Sequence, residues 1–371
     1  MTGARFLGGL IALGLTLGVP AAHAAPSSPE LVIDVATGQV LLADEATRPW
    51  FPASTTKMMT AYVVLRAVKA GELKLETPLI ASAKAAAQPP SKIGIRPGQE
   101  ITVDNALKIL MVKSANDLAQ VIAEGVGGSQ EAFAQRMNAE AARLGMRDSH
   151  FVNPHGLFHA AQVSSARDLA ILGRAMLVEF PEYRDYWGIG AVQLGQRVMK
   201  NTNGLIGRYP GAEGMKTGFI CPSGFNVVAT ASRGGRTLLA VILGAGSGAE
   251  RSIRTAQILD RGFASSAWAP SLGSVTTLPP SGHASAPNMR QDICGRGRQV
   301  AFEEEDTGKA ISLPITATGD NASVYAIMTP SPMPGASSSV GGKNASGRAV
   351  LGPRAELPPI LVHLGRGPGN T

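Results

Sequence analysis

The sequence predicts an α+β protein, an α/β sandwich in which helices pack against one antiparallel sheet. Two β-rich runs, at 31–35 and 39–43, flank a turn that contains Gly38 and predict a hairpin. Three more β-rich runs follow much later, at 214–219, 225–231 and 237–243. Because helical patterns fill the stretch between the two groups, we predict one mixed domain whose five-stranded sheet takes strands from both ends of it.

The helical stretch begins with a long apolar segment from Ser54 to Ala70, which Gly71 ends. Apolar residues surround nearly the whole cylinder of this segment, which predicts a helix buried inside a large domain. Further helices are predicted at 116–124, 130–144, 166–179 and 252–263. Together these segments form a helical subdomain beside the sheet.

The first 24 residues have the pattern of a secretory signal peptide. Arg5 precedes an apolar run from Leu7 to Val19, and Ala22-His23-Ala24 supplies a cleavage site. An uncleaved membrane anchor is the alternative, but this run is short of the roughly 20 residues that a span needs. We therefore expect an exported protein in the periplasm or at the exterior of the cell envelope, soluble or loosely attached to it.

Composition excludes several classes of protein. A chain of 371 residues that is 44% hydrophobic is not wholly disordered. Two cysteines exclude a disulfide-dense scaffold and a four-cysteine zinc module. A net charge of +7 suits an anionic target, whereas scattered basic residues with 5% aromatics do not indicate nucleic acid.

The composition also changes along the chain. The mixed domain, residues 25–265, is expected to end near Ser265. Residues 266–291, which follow it, are rich in Pro, Ser, Gly and Ala and predict a linker. Residues 292–371 contain short β-rich runs at 300–302, 310–314 and 323–328, and we predict a partly disordered region of unknown role. Cys221 and Cys294 either pair or remain two separate buried thiols.

The first chemical motif is Ser54-Thr55-Thr56-Lys57, at the start of the apolar helix. Residues three apart share a helix face, with Cβ atoms roughly 5–6 Å from each other. A serine hydroxyl becomes a good nucleophile when a neighbour takes its proton, and a lysine can do this when burial keeps it neutral. The alternative for this motif alone is a helix-cap serine beside a solvated lysine.

Two further motifs carry suitable polar groups. Ser114-Ala115-Asn116 lies between predicted helices, where a hydroxyl and an amide can relay a proton and hold a substrate amide; an ordinary N-cap is the alternative. Lys216-Thr217-Gly218 lies on a predicted strand, where a cation and a hydroxyl suit a carboxylate. A lysine that guards an exposed edge strand is the alternative there.

In combination, S-x-x-K, S-x-N about 60 residues later and K-T-G roughly 100 further on have the order found in penicillin-recognising serine enzymes. The chain resembles the low-molecular-weight penicillin-binding proteins that act as D-alanyl-D-alanine carboxypeptidases. This resemblance covers about Leu31 to Phe263, and its segments are 52–60, 113–117, 153–157, 165–169, 203–205 and 214–219.

The resemblance implies a β-lactamase-like D,D-peptidase fold and a role for each motif. Ser54 would attack the carbonyl between two terminal D-alanines, with Lys57 as its base, and Ser114 and Asn116 would complete the proton relay and bind the substrate amide. Lys216 and Thr217 would hold the terminal carboxylate, and Gly218 would let the substrate backbone approach closely. The backbone N–H groups of Ser54 and Phe219 would form the oxyanion hole. Arg251 occupies the place of a carboxylate-assisting arginine, for which Arg254 is the alternative.

The expected substrate is a peptidoglycan stem peptide, with β-lactams as covalent inhibitors and no metal or cofactor. A D,D-endopeptidase remains a close alternative, since it uses the same motifs. A β-lactamase is disfavoured because residues 141–178 contain no glutamate to drive deacylation. A wall-binding protein without activity is disfavoured because all three motifs are complete. Pro358, Pro359 and Pro368 argue against the amphipathic membrane helix of many relatives, so we expect no stable membrane anchor.

We expect three other polar residues to be structural. His155 follows Pro154 in a turn and is not expected to act as a triad base. Asp117 and Asp168 are expected to cap helices or form ion pairs.

Overall fold

The computed structural model describes residues 27–265, 272–295 and 349–365, and the backbone of two short segments at 311–312 and 340–343. The predicted signal peptide and the β-rich runs predicted at 300–302 and 323–328 lie outside the described residues.

The described strands are β1 (Glu30–Asp34), β2 (Val40–Asp44), β3 (Pro78–Ile80), β4 (Glu100–Thr102), β5 (Ala191–Leu194), β6 (Arg197–Lys200), β7 (Ala212–Ile220), β8 (Gly224–Arg233), β9 (Arg236–Ala245), β10 (Ile311–Ser312), β11 (Val340–Lys343), β12 (Ala349–Leu351) and β13 (Ile360–Val362). The described α-helices are α1 (Lys57–Lys69), α2 (Ala83–Ala86), α3 (Val103–Lys113), α4 (Asn116–Gly127), α5 (Gln130–Leu144), α6 (Ala166–Glu179), α7 (Arg184–Gly188), α8 (Gly248–Ala264) and α9 (Arg290–Cys294). Short 3-10 helices occupy Ala53–Thr56, Pro181–Tyr183 and Val275–Thr277.

The central sheet has five antiparallel strands in the order β2-β1-β9-β8-β7. Strand β1 pairs with β9, with Leu31 opposite Val241. Both faces of the sheet are covered. Successive residues of β9 point to opposite faces, and each set is buried in a different hydrophobic core. Leu238, Ala240 and Ile242 face α8, whereas Leu239, Val241 and Leu243 face the helical side. The predicted fold class, an antiparallel five-stranded sheet with helices and strands from both ends of the domain, is confirmed.

Helix α1 runs through the middle of the helical side, and ten of its thirteen residues are buried. The sequence predicts a helix from Ser54, but the first turn, Ala53–Thr56, is a 3-10 helix and the α-helix begins at Lys57. Helices α5, α6 and α8 begin at serine caps whose hydroxyls accept from a backbone N–H three residues on. Helix α8 begins at Gly248, earlier than the predicted start at 252, because its cap is Ser247.

Part of the predicted linker, residues 272–291, packs against the domain. Val275 and Met289 of this segment, and Ile293 just after it, are each less than 5% exposed. A disulfide joins Cys221, just after β7, to Cys294, and the Met289 N–H donates to Pro222 O. Composition alone predicts a linker here because the few buried apolar residues are diluted by Pro, Ser and Gly.

A three-stranded sheet in the order β13-β5-β6 lies beside the helical side. Strand β13 comes from the C-terminal region and pairs in parallel with β5, and Val362 is buried in the same core as α1. Within the ranges that the structure describes, no helix has the length and apolar content needed to cross a bilayer.

Candidate active site

The 3-10 helix and the first turn of α1 bring Ser54 and Lys57 together. Lys57 is fully buried, and its Nζ lies 2.8 Å from Ser54 Oγ. The same nitrogen donates to Asn116 Oδ1 at 2.8 Å and to His155 O at 2.7 Å. The predicted serine–lysine pair is therefore in direct contact.

These contacts suit a lysine that acts as a base. An amide oxygen and a backbone carbonyl only accept hydrogen bonds. In the neutral amine, two N–H groups can donate to Asn116 Oδ1 and His155 O, which leaves the nitrogen lone pair for the Ser54 hydroxyl. The geometry thus aligns the hydroxyl proton with the atom that would take it.

The second motif forms the junction between α3 and α4. Ser114 ends α3 in the left-handed conformation, with φ 62 and ψ 33. Its Oγ is buried and has no hydrogen-bond partner among the described residues. Such a hydroxyl is free to bind an incoming substrate group.

Asn116 is held by a loop that crosses above α4. Its Nδ2 donates to Pro89 O at 3.0 Å and to Pro90 O at 3.1 Å, and its backbone N–H donates to Ser91 O. Both amide hydrogens therefore point at the loop, while Oδ1 faces Lys57. This arrangement fixes Asn116 as an orienting group for the amine.

The same loop is anchored by Asp117. Its buried carboxylate accepts from the backbone N–H groups of Ile93, Gly94 and Ile95. The other expected structural acid, Asp168, lies 2.5 Å from Arg167 in a buried ion pair. Asp117 thus holds this loop through its backbone amides, and Asp168 forms an ion pair, one of the structural roles considered for it from sequence.

The third motif lies on β7, next to Ser54. Lys216 and Thr217 are buried, at 1% and 4% exposure. Lys216 Nζ donates to Thr217 O at 2.9 Å, and Thr217 Oγ1 lies 2.6 Å from Thr202 Oγ1. Thr202 is a site residue that sequence reasoning missed, although it directly precedes the 203–205 segment that carries part of the resemblance.

Gly218 allows β7 to approach Ser54 closely. A Cβ at this position would lie 2.7 Å from Ser54 N and 2.9 Å from Thr55 N. On the neighbouring strand, Asn226 Nδ2 donates to Phe51 O and Pro52 O, which fixes the same turn from the other side. The edge of the sheet and the start of α1 are therefore in direct backbone contact.

Of the two arginines considered from sequence, Arg251 faces the third motif. Its Nη2 donates to Thr202 O at 3.2 Å, and its guanidinium lies 5.9 Å from the Phe225 ring centre. Arg254 instead pairs with Glu30 and Glu250. Phe219, the last residue assigned from sequence, stacks on Phe225 with ring centres 4.2 Å apart.

His155 contributes its main chain to the site. Its carbonyl contacts Lys57, while its ring Nδ1 accepts from the Leu157 N–H at 3.2 Å. Burial lowers the pKa of His155 from about 6.5 to about 3. The imidazole is thus neutral across the physiological range.

This pKa predicts a pH-dependent stability. The unfolded chain takes up a proton on His155 as the pH falls through about 6.5, whereas the folded chain resists it down to about 3. The free energy of unfolding should therefore decrease by about 1.4 kcal/mol per pH unit below pH 6.5 from this residue alone. Urea unfolding of the protein and of His155→Asn at pH 7.5 and 5.0 measures the difference. The variant is expected to lose about 2 kcal/mol less than the wild type, and parallel pH curves would contradict the assignment.

A second prediction concerns Gly218. Gly218→Ala should force β7 away from Ser54, because the new methyl group has no room beside the two backbone nitrogens. We expect acylation by a penicillin to slow about 100-fold, since displacement of reacting groups by an ångström has effects of this size. Gly282→Ala, where an added Cβ would meet nothing within 4 Å and the backbone does not have a positive φ, is the control and should acylate normally. Equal rates for both variants would contradict the close approach.

A serine and a buried lysine at the start of a helix, beside an antiparallel sheet that carries K-T-G, are the arrangement of the penicillin-recognising serine proteins. A family model described as D-alanyl-D-alanine carboxypeptidase, peptidase S11, matches residues 18–247. The chain belongs to this family.

Individual relatives agree with the family. The D-alanyl-D-alanine carboxypeptidase DacF of Bacillus subtilis is 34% identical over 247 residues, which are 65% of this chain and 63% of the relative. Penicillin-binding protein 6B of Escherichia coli is similar in structure, with a TM-score of 0.61, 30% identity and coverage of 67% of this chain and 82% of that one. Penicillin-binding protein D2 of Listeria monocytogenes, in its cefotaxime-bound form, has a TM-score of 0.58, 28% identity and coverage of 63% and 96%. The chain thus spans less than two thirds of the length of DacF.

Proposed function

We propose that the chain is an exported serine-type D-alanyl-D-alanine carboxypeptidase that removes the last D-alanine of peptidoglycan stem peptides. The observation that carries the proposal is the 2.8 Å contact between Lys57 Nζ and Ser54 Oγ at the edge of the sheet that holds Lys216 and Thr217. Membership of the S11 family and the names of the relatives support the substrate class.

Acylation begins when Lys57 takes the proton of Ser54, and Ser54 Oγ attacks the carbonyl between the two D-alanines. The tetrahedral intermediate places its negative oxygen at the backbone N–H groups of Ser54 and Phe219, a pair of donors worth a few kcal/mol in such sites. Ser114 gives its hydroxyl proton to the leaving amine and takes in exchange the proton held by Lys57, so that the C–N bond breaks, free D-alanine departs and Lys57 is neutral again. Water then attacks the ester as Lys57 takes its proton; the bond between the acyl carbon and Ser54 Oγ breaks, and Lys57 returns the proton to Ser54 Oγ.

The terminal carboxylate binds at the third motif. Lys216 supplies the positive charge, and Thr217 supplies a hydroxyl that is already paired with Thr202. Arg251 does not contact the carboxylate directly in this proposal; it donates to the backbone carbonyl of Thr202 and so holds Thr202 in place. Asn116 acts as a positioning residue for Lys57, because its own amide hydrogens are occupied by Pro89 and Pro90.

β-Lactams are proposed as covalent inhibitors that acylate Ser54. The solved relative in its cefotaxime-bound form supports this, as do the shared motifs. The signal-peptide pattern of residues 1–24 and the disulfide between Cys221 and Cys294 support export to the periplasm, since disulfides persist in oxidising compartments.

The test is a product analysis. Purified protein is mixed with a stem pentapeptide that ends in D-Ala-D-Ala and, separately, with a cross-linked dimer, and the products are weighed by mass spectrometry. We expect the pentapeptide to lose one alanine and the dimer to remain joined. Cleavage of the dimer alone would favour the D,D-endopeptidase alternative, and the absence of both products would contradict the proposal.

A further inference from the structure

A segment of the C-terminal region, residues 349–365, lies against the catalytic domain; we call it the C-terminal strap. Leu351 is buried against the core under α8, and β13 adds a parallel strand to β5. The Gly365 N–H donates to Glu100 O, and Asn105 Nδ2 donates to His363 O. The strap is therefore attached to the domain near both of its ends.

The middle of the strap contacts the loop that carries Thr202. Arg354 Nη1 donates to Asn201 O at 2.9 Å, and its Nη2 lies 3.4 Å from Gly190 O. Close by, the Ala355 N–H donates to Gly207 O at 2.8 Å. The Arg354 guanidinium thus binds the backbone carbonyl of the residue before Thr202.

Two arginines act on consecutive carbonyls of this loop. Arg354 holds Asn201 O, and Arg251 holds Thr202 O. The Thr202 hydroxyl in turn contacts the Thr217 hydroxyl at 2.6 Å. A continuous chain of contacts therefore joins the strap to the third motif.

The catalytic domain is shaped to receive the strap. A Cβ on Gly190 would lie 2.5 Å from Leu357 Cδ1 and 2.8 Å from Leu357 Cβ. A side chain at this position would push Leu357 and the strap away, so the contact between the strap and the domain depends on glycine here. Strand β5, which begins at the next residue, does not itself require a glycine at this position. This is an observation independent of the hydrogen bonds of Arg354.

We propose that the C-terminal strap completes the carboxylate-binding end of the active site, and that Arg354 is a positioning residue that fixes Thr202, and through it Thr217, for the substrate carboxylate. The proposal rests on the proposed function for the identity of the substrate. It gives the 349–365 part of the C-terminal region a defined role in substrate recognition.

The kinetic test uses the full chain and two peptides. One is an N-acylated peptide that ends in D-Ala-D-Ala with a free carboxylate, and the other is its C-terminal amide. Arg354→Ala should lower kcat/KM for the free acid about tenfold, mainly through a higher KM, and leave the amide within about twofold. In a Thr202→Val background, the same substitution should have less than about a twofold effect, because the link to Thr217 is already cut.

Leu361→Ser is the matched control. Leu361 lies on β13 of the same strap but is 61% exposed, and the variant should behave as the wild type on both peptides. An equal loss on acid and amide, or an Arg354 effect that persists in the Thr202→Val background, would overturn the proposal.

Hydrogen exchange gives a readout that does not depend on turnover. Arg354→Ala should speed amide exchange in residues 201–205 and 216–218, while Leu361→Ser should not. Unchanged exchange in Arg354→Ala would overturn the role of the strap. A wild-type protein inactive on both peptides would overturn the proposed function instead, and the exchange data would still decide the role of the strap.

Discussion

Ser54→Ala is expected to abolish covalent labelling by a fluorescent penicillin and to lower kcat/KM on D-Ala-D-Ala peptides by at least about 10⁴-fold. The reason is that no acyl-enzyme forms without the hydroxyl that lies 2.8 Å from Lys57 Nζ. Labelling is measured in a gel, and peptide turnover is measured by release of D-alanine.

Ser129→Ala is the matched control for this variant. Ser129 caps α5 by accepting from the Ala132 N–H, so its loss should lower the free energy of unfolding by about 1 kcal/mol and leave labelling intact. The pair separates loss of chemistry from loss of stability. Labelled Ser54→Ala would mean that a different residue is the nucleophile.

Lys57→Met is expected to slow acylation about 10³- to 10⁴-fold, because the proton acceptor of Ser54 is removed while a buried side chain of similar length remains. The loss of donors to Asn116 Oδ1 and His155 O should also destabilise the fold by about 1–3 kcal/mol. The second-order rate constant for acylation and the urea midpoint are the two measurements.

Lys57→Arg tests whether Lys57 acts as a proton acceptor or only as a positive charge. Arginine remains protonated in proteins, so this variant keeps the positive charge and loses the proton acceptor. We expect it to be as slow as Lys57→Met. Acylation within about tenfold of the wild-type rate would show that Lys57 acts through charge, and the acid–base role would be wrong.

Local sequence pattern was sufficient to predict the central sheet. The runs that became β1, β2, β7, β8 and β9 are rich in β-branched and aliphatic residues and stand between Gly-bearing turns. Strands β5 and β6 were missed, because Ala191–Leu194 and Arg197–Lys200 are four-residue runs whose partners and burial come from tertiary contacts.

At the site, the three motifs identified the residues but not how they are held. Spacing placed Lys57 one turn from Ser54, and the structure brings them into contact. The left-handed conformation of Ser114 was not predictable, because a serine adopts it only when surrounding packing imposes it. The partnership of Thr202 with Thr217 also escaped prediction, since a hydroxyl pair leaves no periodic trace in sequence.

The C-terminal strap was the largest omission. Ile360–Val362 is a three-residue apolar run that follows two prolines, and its partner strand lies far earlier in the chain. Short runs among prolines and glycines have the composition of a linker, so only the complementary surface around Gly190 and Asn201 reveals the docking.

The pairing of β1 with β9 has a consequence for how the chain acquires its shape. Strand β1 is among the first parts of the domain to be synthesised, yet its neighbour is completed only at Ala245, and Ser28 Oγ bonds to Leu243 O across 215 positions. Contacts this distant along the chain make assembly slow, and they leave one edge of the early β1–β2 hairpin unpaired until nearly the whole domain has emerged. Such a delay would keep the nascent chain unfolded for longer, which would suit the proposed export, since a chain that is still unfolded is easier to pass through a secretion pore.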